Sequence, residues 1–442
     1  MTRKSRLLVG CFILMASILS ACAGNSANPN ENNQPNNGAE TPKAETPTVP
    51  VKLTMWGGVP EEAGPKAAVD AWNAANPDIQ VEYIRFVNDD AGNLKLDTAL
   101  VSGMNADLYV NYSKDTLGKR MSGGLALDLS EYEADYNITD IMGPDAKDWQ
   151  FDGKYYGLPT NKSMSFIWLN KDALDAAGLE VPALDWTLED LAEYAKALKT
   201  DSRWGYAHFD QMYTFNFEGV MQNQLDVDGK SAFDQPAVRS SLETYYKMMH
   251  EDKSIPTYGE QVSTKLAVDA MFLKGDAAMM GAGSWIFRNA SNLTDFPRDF
   301  KIAFATVPRP TADAEDYAVS AGLGDVVSIN PNSLHKDEAW KFLKWYADEG
   351  IMYLAPGGRI PSSKNADAAK GVELILQGME DQYDMESVKN VVFGDYPVFT
   401  STIDSQTKDV LKEEYEKYFL QEQSLDESLT NLVERHNKLL AR

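Results

Sequence analysis

Val51-Lys-Leu-Thr-Met-Trp56 alternates apolar and polar residues and then meets Gly57-Gly58, the pattern of a strand running into a loop. From Glu62 to Ala75 the apolar residues Ala67, Ala68, Ala71 and Trp72 recur at helical spacing, and Asn76-Pro77 ends the run. Ile79-Gln-Val-Glu-Tyr-Ile-Arg-Phe86 reads as a second strand. Residues 94–101 read as a second helix stopped near Gly103, and Asp107-Leu-Tyr-Val-Asn-Tyr112 as a third strand. Strand, helix, strand, helix, strand with short connections predicts an α/β fold, a parallel sheet covered by helices. Ligands of such sheets bind beyond the carboxyl ends of the strands. That rule points to residues 56–62 and 111–115.

Outward from this core, residues 170–177 read as a short helix stopped by Gly178. Thr187-Leu-Glu-Asp190 has the form of a capping box and opens a helix whose Leu188, Leu191, Ala195 and Leu198 share a face. Ser424 with Glu427 opens a last helix in the same way. No repeat of solenoid period is visible.

The N-terminus carries a different message. Arg3, Lys4 and Arg6 precede a short apolar run, Leu7 to Leu19, and then Ser20-Ala21-Cys22. A basic segment, a short apolar segment and small residues before a cut site describe a secretory signal peptide, residues 1–21. The run is shorter than the ~20 residues that span a bilayer. Leu19-Ser20-Ala21-Cys22 resembles the bacterial lipobox, which implies that Cys22 is lipidated and anchors the mature chain to the outer face of the cell membrane. Two acyl chains suffice for durable anchoring where one does not. Residues 22–50 are rich in Asn, Pro, Glu and Thr, hold almost nothing to bury, and read as a disordered tether. Cys11 leaves with the leader, so the body contains no disulfide and no thiolate metal site.

The chain holds 41 Lys and Arg against 66 Asp and Glu, a net charge of −25, and removing the leader makes the remainder more negative. A nucleic-acid partner requires a basic face that releases phosphate counterions, and no such run occurs. The four histidines, His208, His250, His335 and His436, lack metal-ligand spacing, so neither metal nor cofactor is expected. Ser333-Leu-His-Lys336 matches S-x-x-K without its companion motifs and reads as a helix-start turn. No P-loop, dinucleotide fingerprint or G-x-S-x-G is present. None of these patterns points to catalysis, and no enzymatic activity is expected. A glycoside hydrolase is the alternative from another class, because the separation of paired carboxylates is a structural quantity.

Several stretches together resemble the family 1 bacterial extracellular solute-binding proteins, the maltose-binding-protein-like group. They are Phe151-Asp-Gly-Lys-Tyr-Tyr-Gly-Leu-Pro159 with Trp168-Leu-Asn-Lys-Asp-Ala-Leu-Asp-Ala-Ala-Gly-Leu179, and Ser102-Gly-Met-Asn-Ala-Asp-Leu108 with Ala106 at a usual proline. Phe272-Leu-Lys-Gly-Asp-Ala-Ala-Met-Met280 with Gly283-Ser-Trp285, Ala339 to Trp345, and Gly357-Gly-Arg-Ile-Pro361 follow in the family's order. The resemblance implies a type II periplasmic-binding-protein (Venus-flytrap) fold with three interlobe crossings. It places hinges near 159–162, 319–323 and 360–363, an N-lobe of 51–158 plus 324–359, and a C-lobe of 163–318 plus 362–442. It further implies a monomer that closes on a carbohydrate and delivers it to ABC-transporter permease subunits. A non-sugar solute (a polyol phosphate or polyamine) or a sensor-kinase partner is the alternative within the same class.

A sugar site needs flat aromatic faces for the C–H surface and polar groups for the hydroxyls. On the resemblance, Trp285 stands at the family's stacking tryptophan and Tyr213 roughly at a second stacking aromatic. Tyr396 and Phe399 fall where the C-lobe re-enters the cleft, Lys162 at the first crossing, and Arg359 near the third. Position at strand ends nominates Trp56, Glu61, Asn111, Tyr112 and Asp115. Core packing for the aromatics, a helix N-terminus for Glu61 and Glu62, and surface charge pairing for Lys162 and Arg359 are the competing readings.

Overall fold

The computed structural model describes residues 49–441 apart from 104, 105, 210, 211, 223, 315, 316, 395 and 402. The leader, Cys22 and nearly all of the tether lie outside the described residues. The opening strands form as read: β1 (Val51–Gly57), β2 (Ile79–Arg85) and β3 (Leu108–Asn111). β1 runs parallel to β2 from Val51 opposite Ile79 to Gly57 opposite Arg85, and parallel to β3.

The helices between them differ in detail. The expected helix from Glu62 is two pieces, a 3-10 turn Glu61–Ala63 and α1 (Pro65–Ala75). Gly64 separates them with φ +121°, which side-chain-bearing residues rarely adopt, and Pro65 is preset for a first helical turn. α2 (Asp90–Val101) starts earlier than its apolar pattern, because the Asp89 carboxylate accepts from Gly92 N–H at 2.8 Å and caps it. Both expected capping boxes form, at Thr187/Asp190 and Ser424/Glu427, and Gly178 ends its helix at φ +71°. The S-x-x-K stretch is a turn: Ser333 donates to Asp107 at 2.6 Å and Lys336 opens a helix.

Two long strands join the halves, β4 (Leu158–Asn170) and, further along, β10 (Val319–Ile329). Between them come β5 (Trp204–His208), a separate hairpin of β6 (Asp226–Val227) with β7 (Lys230–Ser231), β8 (Ala277–Gly283) and β9 (Ile302–Thr306). Short β11 (Ile360–Pro361) and β12 (Val398–Phe399) follow. The sheet order is β2-β1-β3-β10-β4-β8-β5. The sheet is therefore mixed, not parallel throughout: β10 is antiparallel to both β3 and β4. The reason is that β4 serves two neighbourhoods. Its residues from Leu158 to Met164 pair with β10, and those from Ser165 to Asn170 pair with β8 and β9.

The molecule is a two-lobe α/β fold with separate cores on the two sides of that change of partners. On the N-terminal side Leu53, Met55, Val81 and Leu108 pack against Trp72, whose ring meets Phe342 edge-on at 5.3 Å. Phe342 belongs to the helix Lys336–Asp348, so the chain returns to this lobe late. On the other side Phe166 and Trp168 point into one core while Ile167 and Leu169 point into another. Burial on both faces explains the unbroken apolar run at the end of β4. The C-terminal helices Ser405–Phe419 and Leu425–Leu440 pack as a pair around Glu414, whose carboxylate accepts from Arg435 at 2.6 Å, Gln423 at 2.8 Å and Lys417 at 2.9 Å.

Candidate functional site

The strand ends on the N-terminal side, the crossing strands and the loop after β8 enclose a cavity of about 510 Å³. From the N-terminal lobe, Gly58 and Pro60 follow β1, Arg85 ends β2, and Tyr112 follows β3. The Gly58 N–H donates to the Tyr112 hydroxyl at 2.6 Å, tying two of these loops together. Burial, reinforced by the nearby Asp325 charge, pushes the Tyr112 phenol well above its ordinary value, so it presents a neutral hydroxyl.

The floor comes from β4 and β10. Asn161 and Ser163 line the cavity, while Lys162 between them is exposed on the other face, as the two-residue repeat of a strand requires. The side-chain oxygen of Asn161 is buried with no hydrogen-bond partner in the protein. Such an acceptor costs ~1–3 kcal/mol until something donates to it. Trp149 also reaches this wall and donates its indole N–H to Leu323 of β10 at 3.0 Å.

On the C-terminal side, Ser284, Trp285 and Arg288 follow β8 in a 3-10 turn and short helix. Gly283 permits this arrangement: a Cβ there would lie 1.8 Å from the Trp285 ring. Gly358, at φ +84°, brings the Arg359 segment against the same turn, where a Cβ would lie only 1.9 Å from the Ser284 carbonyl oxygen. Arg359 is buried and donates from Nε to Asp325 at 3.2 Å. Asp325 itself sits at φ +43°, a conformation uncommon for residues with side chains and concentrated at functional sites.

A second chamber of about 440 Å³ shares Tyr112 with the first. Ser113, Phe215, Glu218, Lys408 and Tyr415 are among its walls. Glu218 is buried, one carboxylate oxygen lacks a partner, and burial raises its pKa above the ordinary carboxylate range. Tyr112 therefore borders both chambers.

Of the residues nominated from sequence, the structure brings Tyr112, Trp285 and Arg359 together on the first chamber. The others sit elsewhere. Trp56 is buried with Phe86, Leu96 and Tyr109 beneath α2, its ring 5.6 Å from the Lys95 ammonium. Asn111 is fully buried and committed: it donates to Val326 O and Ser328 Oγ and accepts from Arg120 at 2.8 Å, which ties β3 to β10. Asp115 pairs with Lys119 at 2.9 Å along its own helix. Glu61 is exposed on the 3-10 turn beyond Pro60. Tyr213 lies inside the C-terminal core, edge-on to His208 at 4.2 Å. Tyr396 packs against that core and donates to Val391 O at 2.7 Å, and Phe399 is buried in β12 opposite Ser320.

Arg85, Arg288, Asp325 and Asn161 were not nominated. Arg85 was reachable, because the strand-end rule applied to β1 and β3 holds equally for β2. Arg288 lies one helical turn beyond Trp285. Asp325 carries no sequence signal, since its place depends on the register of β10 against β4.

A family model of bacterial extracellular solute-binding proteins matches residues 57–353. A binding protein of Brucella abortus is 27% identical over 290 residues, covering 62% of this chain and 66% of that protein, just under two thirds of its length. The sn-glycerol-3-phosphate-binding periplasmic protein of Escherichia coli is 23% identical over 313 residues, 66% of this chain and 68% of the relative. Among solved structures, an ABC substrate-binding protein of Listeria monocytogenes in complex with cycloalternan superposes with a TM-score of 0.73 at 22% identity, over 89% of this chain and 100% of that one. At that identity the likeness establishes the fold.

Proposed function

The chain belongs to the bacterial extracellular solute-binding protein family, and from that premise we propose that it captures a carbohydrate, an oligosaccharide in size, for an ABC importer. The observation that carries this reading is the cavity between the lobes. It sets the Trp285 ring and the Tyr112 hydroxyl beside the unsatisfied Asn161 oxygen, an apolar face with hydrogen-bonding edges. The lobes close about hinges near 159–162, 319–323 and 360–363, with the N-lobe 51–158 plus 324–359 and the C-lobe 163–318 plus 362–442. Continuity of β4 and β10 through both neighbourhoods supports such a hinge, and closure around a ligand is a common mode for two-lobe proteins. The closed monomer is what the permease recognises.

The protein works outside the cytoplasm, held to the cell membrane by lipid on Cys22. Among the described residues no helix is long and apolar enough to cross a membrane. Cys22→Ser should release the protein from the membrane fraction into the medium, and quantitative retention of the variant would dismiss the anchor.

A thermal-shift series over mono- and oligosaccharides tests the ligand class, because a ligand bound only by the folded state raises stability by mass action. At least one saccharide should raise the transition at about millimolar concentration. No shift by any of them rejects the reading. With the responding sugar, Trp285→Ala should weaken binding about ten-fold or more, ~1–3 kcal/mol for a lost stacking face. Unchanged affinity by calorimetry would make Trp285 a packing residue.

A further inference from the structure

The charge of the first chamber runs against that of the molecule. The chain carries −25 overall, yet the charged residues lining this cavity are Arg85, Arg288 and Arg359 against Asp325 alone. Asp325 is committed to Arg359. Among the described residues, neither Arg85 nor Arg288 has a carboxylate at ion-pair distance. Arg288 makes a long 3.3 Å hydrogen bond to Asn289, whose amide in turn holds Asp269 at 2.6 Å. In a protein with a large surplus of acids, two arginines that face one cavity without an ion-pair partner stand out.

Like charges so placed repel. Burial first, and then the charge of Arg359, hold the Arg288 pKa below its ordinary value; the Asp269 carboxylate offsets part of this and the Arg85 charge adds to it. An anionic group between Arg85 and Arg288 would remove that repulsion and gain charge-assisted hydrogen bonds from a planar fork suited to carboxylate or phosphate. The two arginines come from opposite lobes, Arg85 from the end of β2 and Arg288 from the turn after β8. A bridging anion would therefore also favour closure.

We propose that the solute carries an anionic group, the carboxylate of a uronate or the phosphate of a sugar ester, and that Arg85 and Arg288 receive it across the cleft. This rests on the sugar-binding reading and narrows it to acidic saccharides. Trp285 and Asn161 then meet the ring and its hydroxyls, and the second chamber takes any further residue of the chain.

The test titrates the full soluble body with oligogalacturonates and with their methyl esters, which keep the sugar and remove the charge. Hexose 6-phosphates form the second arm and neutral malto- and xylo-oligosaccharides the third, with sn-glycerol 3-phosphate and inorganic phosphate as anions without a sugar. An acidic saccharide should bind about ten- to a hundred-fold more tightly than its neutral counterpart. The preference should shrink as salt rises from about 0.05 to about 0.5 M. Arg288→Gln and Arg85→Gln should each erase most of the preference while leaving the thermal transition of the unliganded protein in place, since Arg85 is exposed and Arg288 is only half-buried. Arg288→Lys should retain part of it. Response in the uronate arm or the phosphate arm identifies the anion. Neutral sugars binding as tightly as acidic ones, with no effect of either arginine variant, overturns the anion proposal and leaves the sugar reading standing. Binding of glycerol 3-phosphate with no response to any saccharide overturns the sugar reading and keeps the anion site. Silence throughout overturns both.

Discussion

Asp325→Asn should destabilise the fold by about 3 kcal/mol, the lower end of the penalty for removing one partner of a buried ion pair. The Arg359 side chain is 9% exposed and Asp325 16%, so neither charge is fully hydrated. Removing the carboxylate leaves a guanidinium that has given up water and lost its counter-charge. Its second contact, from an Nη to Gly357 O at 3.3 Å, does not replace what is lost. Asparagine is the informative substitution because it tolerates the positive φ of +43° that this position holds. Alanine should lose roughly a further 1–2 kcal/mol from the backbone alone. Urea unfolding followed by fluorescence measures both. A loss below about 1 kcal/mol for the asparagine variant would mean that Arg359 rehydrates through the cavity, as an exposed pair would.

The second large effect is acid lability at the C-terminal helix pair. Burial by itself would raise the Glu414 pKa, but hydrogen bonds from Gln423, Lys417 and Arg435 outweigh it and hold the carboxyl at about 2 instead of 4.5. The unfolded chain therefore takes up this proton first. The stabilisation is complete above about pH 5, falls as the pH drops through the interval between the two values, and is gone below about pH 2. A displacement of that size corresponds to at most about 3 kcal/mol. The Glu414 side chain is only 2% exposed, so solvent screens it little. Glu414→Gln should lower the urea midpoint near pH 7, and the gap to the unsubstituted protein should close by about pH 2. The difference isolates Glu414 from other carboxylates, such as Asp404, that are also held below their ordinary range. A gap independent of pH would reject the assignment.

The elements were readable where local chemistry decides them. Thr187 with Asp190 and Ser424 with Glu427 are short-range hydrogen-bond pairs, and Gly178 satisfies a local backbone requirement, so each formed as read. Gly64 and Asp89 were equally local, and a closer reading of turn chemistry places both helix starts correctly. The direction of β10 was not local. Whether it lies parallel or antiparallel to β3 depends on how the chain returns after the second lobe, which no window of residues contains.

Site residues divided in the same way. Tyr112 was reachable because a strand end is a local feature and ligands gather there. Asn111, its neighbour, points the other way along the strand, and its partners Val326 and Ser328 lie more than two hundred residues distant. Trp56 and Tyr213 show the ambiguity of aromatics: the same ring can face a cleft or fill a core, and only its neighbours distinguish the two.

By itself, then, the sequence determined the α/β alternation, the helix caps and the family, all of which rest on nearest neighbours or on motifs kept in order. Tertiary structure alone decided the mixed sheet and the meeting of Arg85, Asn161, Arg288 and Asp325 around one cavity. Those four come from four separate strands or turns. Their convergence is set by strand register and lobe packing, which are properties of the folded chain as a whole.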